Sequence, residues 1–244
     1  MLKDIDLELA AGSFVALLGP SGCGKSTLLR FISGLDTPSQ GSISLAAGDS
    51  PGERSGVRLA FVFQDAQLLP WRSVLDNVAL PLELAGVSRA EARERARAPL
   101  ADVELSDVHE RYPDQLSGGM RMRVSIARAL VTEPTILLLD EPFAALDELT
   151  RQRLDERLRA LWLRRRMTVI FVTHALAEAA YLADRALVMS RRPGTIVLDH
   201  VLALPAERSL DLRNSVGFVD QTAILYRALR AHGGLDDSPP EARP

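Results

Sequence analysis

An α/β fold, with a parallel sheet covered on both faces and a helical insertion at about residues 71–131, is what this 244-residue sequence predicts. Two continuous apolar runs carry the prediction, Thr135–Leu139 and Thr168–Val172, with a helical stretch at 147–165 between them. Strands that lack a polar face and alternate with helices need cover on both sides, which is the condition of a parallel sheet. The third observation is the order strand, glycine loop, helix over residues 14–35.

Taken along the chain, residues 2–9 alternate apolar and polar at period two, predicting a half-exposed strand, and Ala11-Gly12 closes it with a turn. Phe14–Leu18 reads as a buried strand, and Leu28, Leu29, Ile32 and Leu35 form the apolar stripe of a helix that stops near Gly34. Gly41–Leu45 and Leu59–Phe63 are strand-like, separated by a loop rich in Gly, Pro and Ser at 46–56. Ser88–Val103, rich in Ala, Arg and Glu, has the propensity of a surface helix; Met120–Leu130 is a second helix whose start is Ser117-Gly118-Gly119. The main domain is expected over residues 1–204, followed by a helical extension at 205–232. The almost apolar-free stretch 233–244 is expected to be disordered.

Composition excludes several classes. Apolar residues at 47% and charged residues at 25% are those of an ordinary globular chain. A net charge of −3, from 29 basic and 32 acidic residues, argues against nucleic acid as a partner. No stretch has the 18 or so uncharged apolar residues of a membrane span, and the N-terminus lacks the apolar region of a signal peptide, so a cytosolic location is expected. The single cysteine, Cys23, cannot form an internal disulfide. Only two basic residues are lysines, Lys3 and Lys25. Where a positive charge alone suffices, this chain uses arginine, which singles out Lys25.

Lys25 lies in Gly19-Pro20-Ser21-Gly22-Cys23-Gly24-Lys25-Ser26-Thr27, which matches the phosphate-loop pattern between a predicted strand and a predicted helix. Glycines let successive N–H groups curl round a phosphate, and the helix N-terminus adds partial positive charge. Lys25 would reach the outer phosphates of a nucleoside triphosphate, and the Ser26 hydroxyl would ligate Mg2+. Such a loop serves kinases, GTPases, helicases and motors alike, so other residues must choose among them.

Leu137-Leu138-Leu139-Asp140-Glu141-Pro142 is an apolar strand ending in two acids. In a parallel sheet that strand end is the ligand edge, so Asp140 is the candidate partner of the metal and Glu141 the candidate general base toward water. Thr173-His174 ends the next apolar run and sets an imidazole at the same edge, within reach of a γ-phosphate. Ser117-Gly118-Gly119-Met120 is a second glycine-bearing helix start, about 95 residues after the first. One nucleotide hardly needs both from one chain; a two-fold dimer, in which each copy presents its second terminus to the phosphates held by the other, uses both.

Gly19–Thr27, Gln64 after Val62-Phe63, Leu116–Met120, Leu137–Glu141, Ala145-Leu146-Asp147 and His174, in this order, resemble the Walker A, Q-loop, signature, Walker B, D-loop and H-loop of ATP-binding cassette ATPases. The resemblance covers about residues 1–204. It implies a nucleotide-binding core with an antiparallel β subdomain and a helical subdomain, and a head-to-tail homodimer sandwiching two ATP molecules. It also implies that Gln64 touches Mg2+ and the attacking water while relaying to membrane permease subunits, and that Asp147 couples the two sites. The run from Gln64 to Val78 is similar to the subunits serving nitrate, sulfonate and taurine importers, which also use an external solute-binding protein. That places the chain at the cytoplasmic face of the membrane. Leu68-Leu69-Pro70-Trp71 reads either as a groove for a partner's helix or as internal packing.

Two departures stand out. The family's adenine-stacking aromatic has no counterpart among the 18 residues before Gly19, where Phe14 is the sole aromatic, so either the chain starts late or adenine is held differently, and weak base recognition is expected. Met120 replaces the usual glutamine of the signature, so phosphate contacts are expected mainly from Ser117 and the glycine backbone. A DNA-binding ATPase of the same superfamily is the competing class, but it would insert long coiled coils between the glycine motifs; the Arg-rich segment 151–166, interleaved with Asp155 and Glu156, reads instead as a solvated helix face. A regulatory module that binds nucleotide without hydrolysing it is opposed by the intact Lys25, Glu141 and His174.

Overall fold

The computed structural model describes residues 2–45 and 56–233. Its strands are β1 Phe14–Leu18, β2 Leu59–Val62, β3 Ile136–Asp140, β4 Thr168–Val172, β5 Arg185–Met189 and β6 Ile196–Val201. They form one sheet in the order β2-β3-β4-β1-β5-β6. All neighbours are parallel except β5 and β6. The expected boundaries of β1 and β4 coincide with the observed ones, because each is an apolar run bounded by turn residues.

β1 shows how the sheet is covered. Phe14, Ala16 and Leu18 point into one apolar cluster, and Val15 and Leu17 into a second with Leu28 and Leu29 of α1 (Lys25–Ser33). Period-two alternation of two buried faces requires apolar residues at every position, which is why the strand carries no polar one. Between β2 and β3 the chain is helical: α2 Val74–Leu84, α3 Arg89–Asp102 and α4 Gly118–Leu130 pack on one another. After β3 come α5 Glu148–Arg165, α6 Leu176–Leu182 and α7 Val216–Ala231. Most of these helices begin with the same device. Ser73, Ser88, Ser117, Asp147 and Ser215 accept the N–H three residues on, filling a donor the helix itself cannot pair. α1 instead begins at Gly24, in the left-handed region at φ 113°, with no side-chain cap, which leaves its first amides available to a ligand.

The structure corrects three expectations. Residues 2–9 and 41–45 form no strand; Leu2 makes one isolated bridge to Gly194. The alternation does place Ile5, Leu7 and Leu9 against the second apolar cluster. Alternation decides which side chains face inward, but a strand exists only where a neighbouring edge takes its hydrogen bonds. Among the described residues the antiparallel pairing is that of β5 with β6. The segment 151–166 is only in part a solvated face: Arg153, Glu156, Arg157, Arg164, Arg165 and Arg166 are exposed, but Asp155 and Arg159 are buried. Arg159 donates to the Leu182 carbonyl at 2.7 Å and the Ala206 carbonyl at 2.9 Å, because the chain beyond β6 returns across α5. Residues 46–55 of the expected loop and 234–244 of the expected tail lie outside the described residues.

Candidate active site

Strand order brings the sequence motifs together. β4 lies between β1 and β3, and Val172 pairs with both Leu17 and Asp140. The phosphate loop after β1, the two acids at the end of β3 and Thr173-His174 after β4 therefore open on one sheet edge. Gln64 follows β2, whose Val62 pairs with Leu139, so it reaches that edge too, with its side chain exposed.

The phosphate loop is held from several directions. Gly22 and Gly24 take φ of 73° and 113°, conformations that side-chain-bearing residues rarely adopt. Lys25 is 6% exposed and donates from Nζ to the Gly19 carbonyl at 2.8 Å and the Pro20 carbonyl at 3.1 Å. Its ammonium thus lies folded over the loop that begins at Gly19. Cys23 is buried beneath the loop, while Ser21, Gly22 and Ser26 are exposed and Thr27 half-buried.

At the end of β3, Asp140 is 7% exposed, and burial pushes its carboxyl above the usual range, with the neighbouring Glu141 charge adding to the rise and a hydrogen bond from Ser26 opposing it. Glu141 has φ 47°, a left-handed backbone that costs a non-glycine residue about 1–3 kcal/mol. The strain is fixed by its N–H, which donates to the Val172 carbonyl at 3.0 Å. The carboxylate is thereby turned toward β4, where Oε2 lies 3.4 Å from His174 Nδ1. The imidazole itself is exposed.

The second glycine terminus opens elsewhere. α4 packs on α2, α3 and β2, whereas α1 packs on β3 and β4. Ser117 Oγ accepts the Met120 N–H at 3.2 Å, and Ser117 and Gly118 are exposed. A Cβ on Gly119 would stand 2.3 Å from Leu146 Cδ2, so the signature turn and the loop before Asp147 are in contact. Asp147 caps α5 through the Thr150 N–H at 3.0 Å, which holds its carboxyl below the usual range. Phe14 is fully buried against Trp162 and Phe171 and cannot stack on a base.

A profile of the family described as ABC transporter matches residues 2–144. The chain belongs to the ABC transporter family. It is 51% identical over 209 residues to the aliphatic sulfonates import ATP-binding protein SsuB 2 of Streptomyces avermitilis, covering 86% of this chain and 78% of that one. It is 49% identical over 198 residues to the taurine import ATP-binding protein TauB of Rhizobium johnstonii, covering 80% and 74%. Among solved structures, the dimeric post-hydrolysis state of the ATP-binding cassette MJ0796, bound to ADP and Pi, superposes with a TM-score of 0.73 at 34% identity, covering 84% of this chain and 91% of that one.

Supports that this ABC chain's sequence motifs do not announce come from the β5–β6 connection. Arg192 Nε donates to the Gly22 carbonyl at 2.7 Å. A Cβ at Gly194 would lie 2.1 Å from the Cys23 carbonyl oxygen, a backbone atom that cannot swing away. Gly194→Ala is expected to lower the melting temperature by several degrees and weaken ATP binding about ten-fold, since overpacking costs roughly 1–3 kcal/mol and here the strain enters the phosphate loop. Thermal melts and nucleotide titration check this; wild-type affinity would show that the connection does not shape the loop.

Proposed function

We propose that the chain is the ATP-hydrolysing subunit of an importer for a small anion such as a sulfonate, taurine or nitrate, and that it works as a head-to-tail homodimer. The observation that carries the reading is the division of anion-binding termini: the phosphate loop shares its sheet edge with Asp140, Glu141 and His174, while the Ser117–Met120 terminus opens on another part of the chain. A partner copy brings that terminus to the phosphates.

In the closed dimer Gly19–Thr27 hold the triphosphate through backbone amides, and Lys25 leaves the Gly19 and Pro20 carbonyls for the outer phosphates. Glu141 takes a proton from water while the water oxygen bonds to the γ-phosphorus and the bond from the γ-phosphorus to the β–γ bridging oxygen breaks, so that ADP leaves with that oxygen; His174 donates to the γ-phosphate. Ser117, Gly118, Gly119 and Met120 of the other copy cover the opposite side, and Asp147 lies beside that terminus through Leu146, coupling the two sites. The residues also fit Mg2+. Asp140 is a buried carboxylate, and the Ser26 hydroxyl is near enough to oppose the rise of its pKa. Among the described residues no group of three or more His, Cys, Asp or Glu is gathered into a cage. That suits an ion held by few protein oxygens plus phosphates, here Ser26, Asp140 and Gln64. When bound it neutralises phosphate charge.

Among the described residues no helix is long and apolar enough to cross a membrane, so transport calls for permease subunits, with a solute-binding protein outside and this chain at the cytoplasmic face. Docking is supported on the segment that follows Gln64. Leu68 packs against the core, whereas Trp71 is 72% and Leu84 80% exposed, on a segment braced by the Arg72–Glu83 pair at 2.8 Å. Glu141→Gln with ATP and Mg2+ is expected to elute as a dimer on size exclusion, and as a monomer with ADP. A monomer at high protein concentration under both conditions would overturn the shared-site reading.

A further inference from the structure

Acidic and basic side chains that the reaction does not use meet behind Thr173. Asp155 of α5 is fully buried and Glu178 of α6 is 5% exposed. Glu178 accepts a short hydrogen bond from the Thr173 hydroxyl, whose oxygen accepts the Ala175 N–H at 3.0 Å. Those two bonds pin the backbone on both sides of His174. The cation that balances the acids comes from the C-terminal segment. Arg213, on the single turn Leu210–Asn214, reaches Asp155 Oδ2 at 2.5 Å and lies over the Tyr181 ring at 4.3 Å. Arg151 approaches Glu178 Oε1 more distantly, at 3.9 Å.

Two carboxylates in one buried pocket compete for cations. Burial pushes the Asp155 carboxyl up to about 8, with the Glu178 charge adding to it and Arg213 opposing; burial raises Glu178 as well. Asp155 Oδ1 and Glu178 Oε1 are buried with no hydrogen-bond partner, and the one buried donor left over, Nε, belongs to Arg213 itself, so removing Arg213 removes the spare donor too. The same segment is anchored a second time. Arg208 Nη1 donates to the carbonyls of Ala180, Tyr181 and Ala183 at 2.8–2.9 Å, closing the C-terminal end of α6.

We infer that Arg213 is a positioning residue for His174: by pairing with Asp155 it leaves Glu178 to hold Thr173, so that the C-terminal segment at 205–232 sets how firmly the histidine turn is held. This rests on the role given to His174 above. Without Arg213, Glu178 keeps only the more distant Arg151 as a cation, its hold on the Thr173 hydroxyl loosens, and the imidazole loses its fixed approach to the γ-phosphate. Displacement of a reacting group by about 1 Å is enough for a large loss of rate.

The test is a double-mutant cycle on the full chain, reading kcat for phosphate release and the Kd for ATP separately. Arg213→Met is expected to lower kcat about ten-fold with Kd within two-fold of wild type. Thr173→Val should do the same, and the double variant should be no slower than Thr173→Val alone. Arg213→Lys keeps the buried cation, protects the fold, and should lose only about three-fold. An equal loss from Arg213→Met, or from Arg213→Lys if the former aggregates, with and without the Thr173 hydroxyl would overturn the inference. Full activity of Arg213→Met beside a slow His174→Ala also overturns it, alone. A His174→Ala chain as fast as wild type removes the histidine's role, and this inference with it.

Discussion

Glu141→Gln is expected to lower the hydrolysis rate by about 10²–10⁴-fold while ATP binding survives, the loss that follows when a positioned general base is removed. Glutamine keeps the shape and can still face the water, but it cannot take the proton. The neighbouring acid does not substitute. Asp140 is buried at the strand end, whereas Glu141 is turned out of the strand by its backbone at φ 47° and lies 3.4 Å from His174. A left-handed, non-glycine residue at this point is kept by the surrounding structure despite its cost, which fits a carboxylate needed in one orientation. Single-turnover phosphate release with a parallel ATP titration measures both halves; a loss below about five-fold would remove Glu141 from its role.

The second large effect is at Lys25. Lys25→Ala is expected to weaken ATP binding by roughly 10²–10⁴-fold, because two charge-assisted hydrogen bonds to phosphate at about 1.5–3 kcal/mol each are lost. The ammonium occupies a buried position, 6% exposed, with the Gly19 and Pro20 carbonyls 2.8 and 3.1 Å away. Removing it strips those acceptors of their donor as well. Lys25→Arg should recover little, since a planar guanidinium is larger and cannot act as a point charge in the same space. Isothermal titration settles the matter: near-wild-type affinity for either variant would mean that the backbone amides alone hold the triphosphate.

What was legible in the residues is largely what short-range chemistry decides. The glycine spacing of residues 19–24 is tied to backbone angles that only glycine adopts cheaply, so the loop could be read without its neighbours. The apolar runs of β1 and β4 ended where polar residues began, and Ser117 and Asp147 announced helix starts because a side-chain acceptor three residues before a free N–H is a local arrangement. The strands expected at 2–9 and 41–45 failed for the complementary reason: nothing within a strand states which edge will receive it.

The same division separates the candidate site residues that the sequence suggests from those that only the fold brings beside them. Gln64, Asp140, Glu141 and His174 stood at the ends of predicted strands, and parallel strand ends share an edge. Arg192, Gly194 and Arg213 carried no such signal, since Gly22 is 170 residues from Arg192 and Asp155 is 58 from Arg213. The sequence by itself determined the phosphate loop, the helix starts and the strand-end acids, because each is fixed by backbone angles and hydrogen bonds spanning a few residues. Only the tertiary structure decided that β4 separates β1 from β3, and that a C-terminal arginine answers the buried Asp155. Burial and charge compensation depend on which distant surfaces meet, and no run of neighbouring residues encodes that.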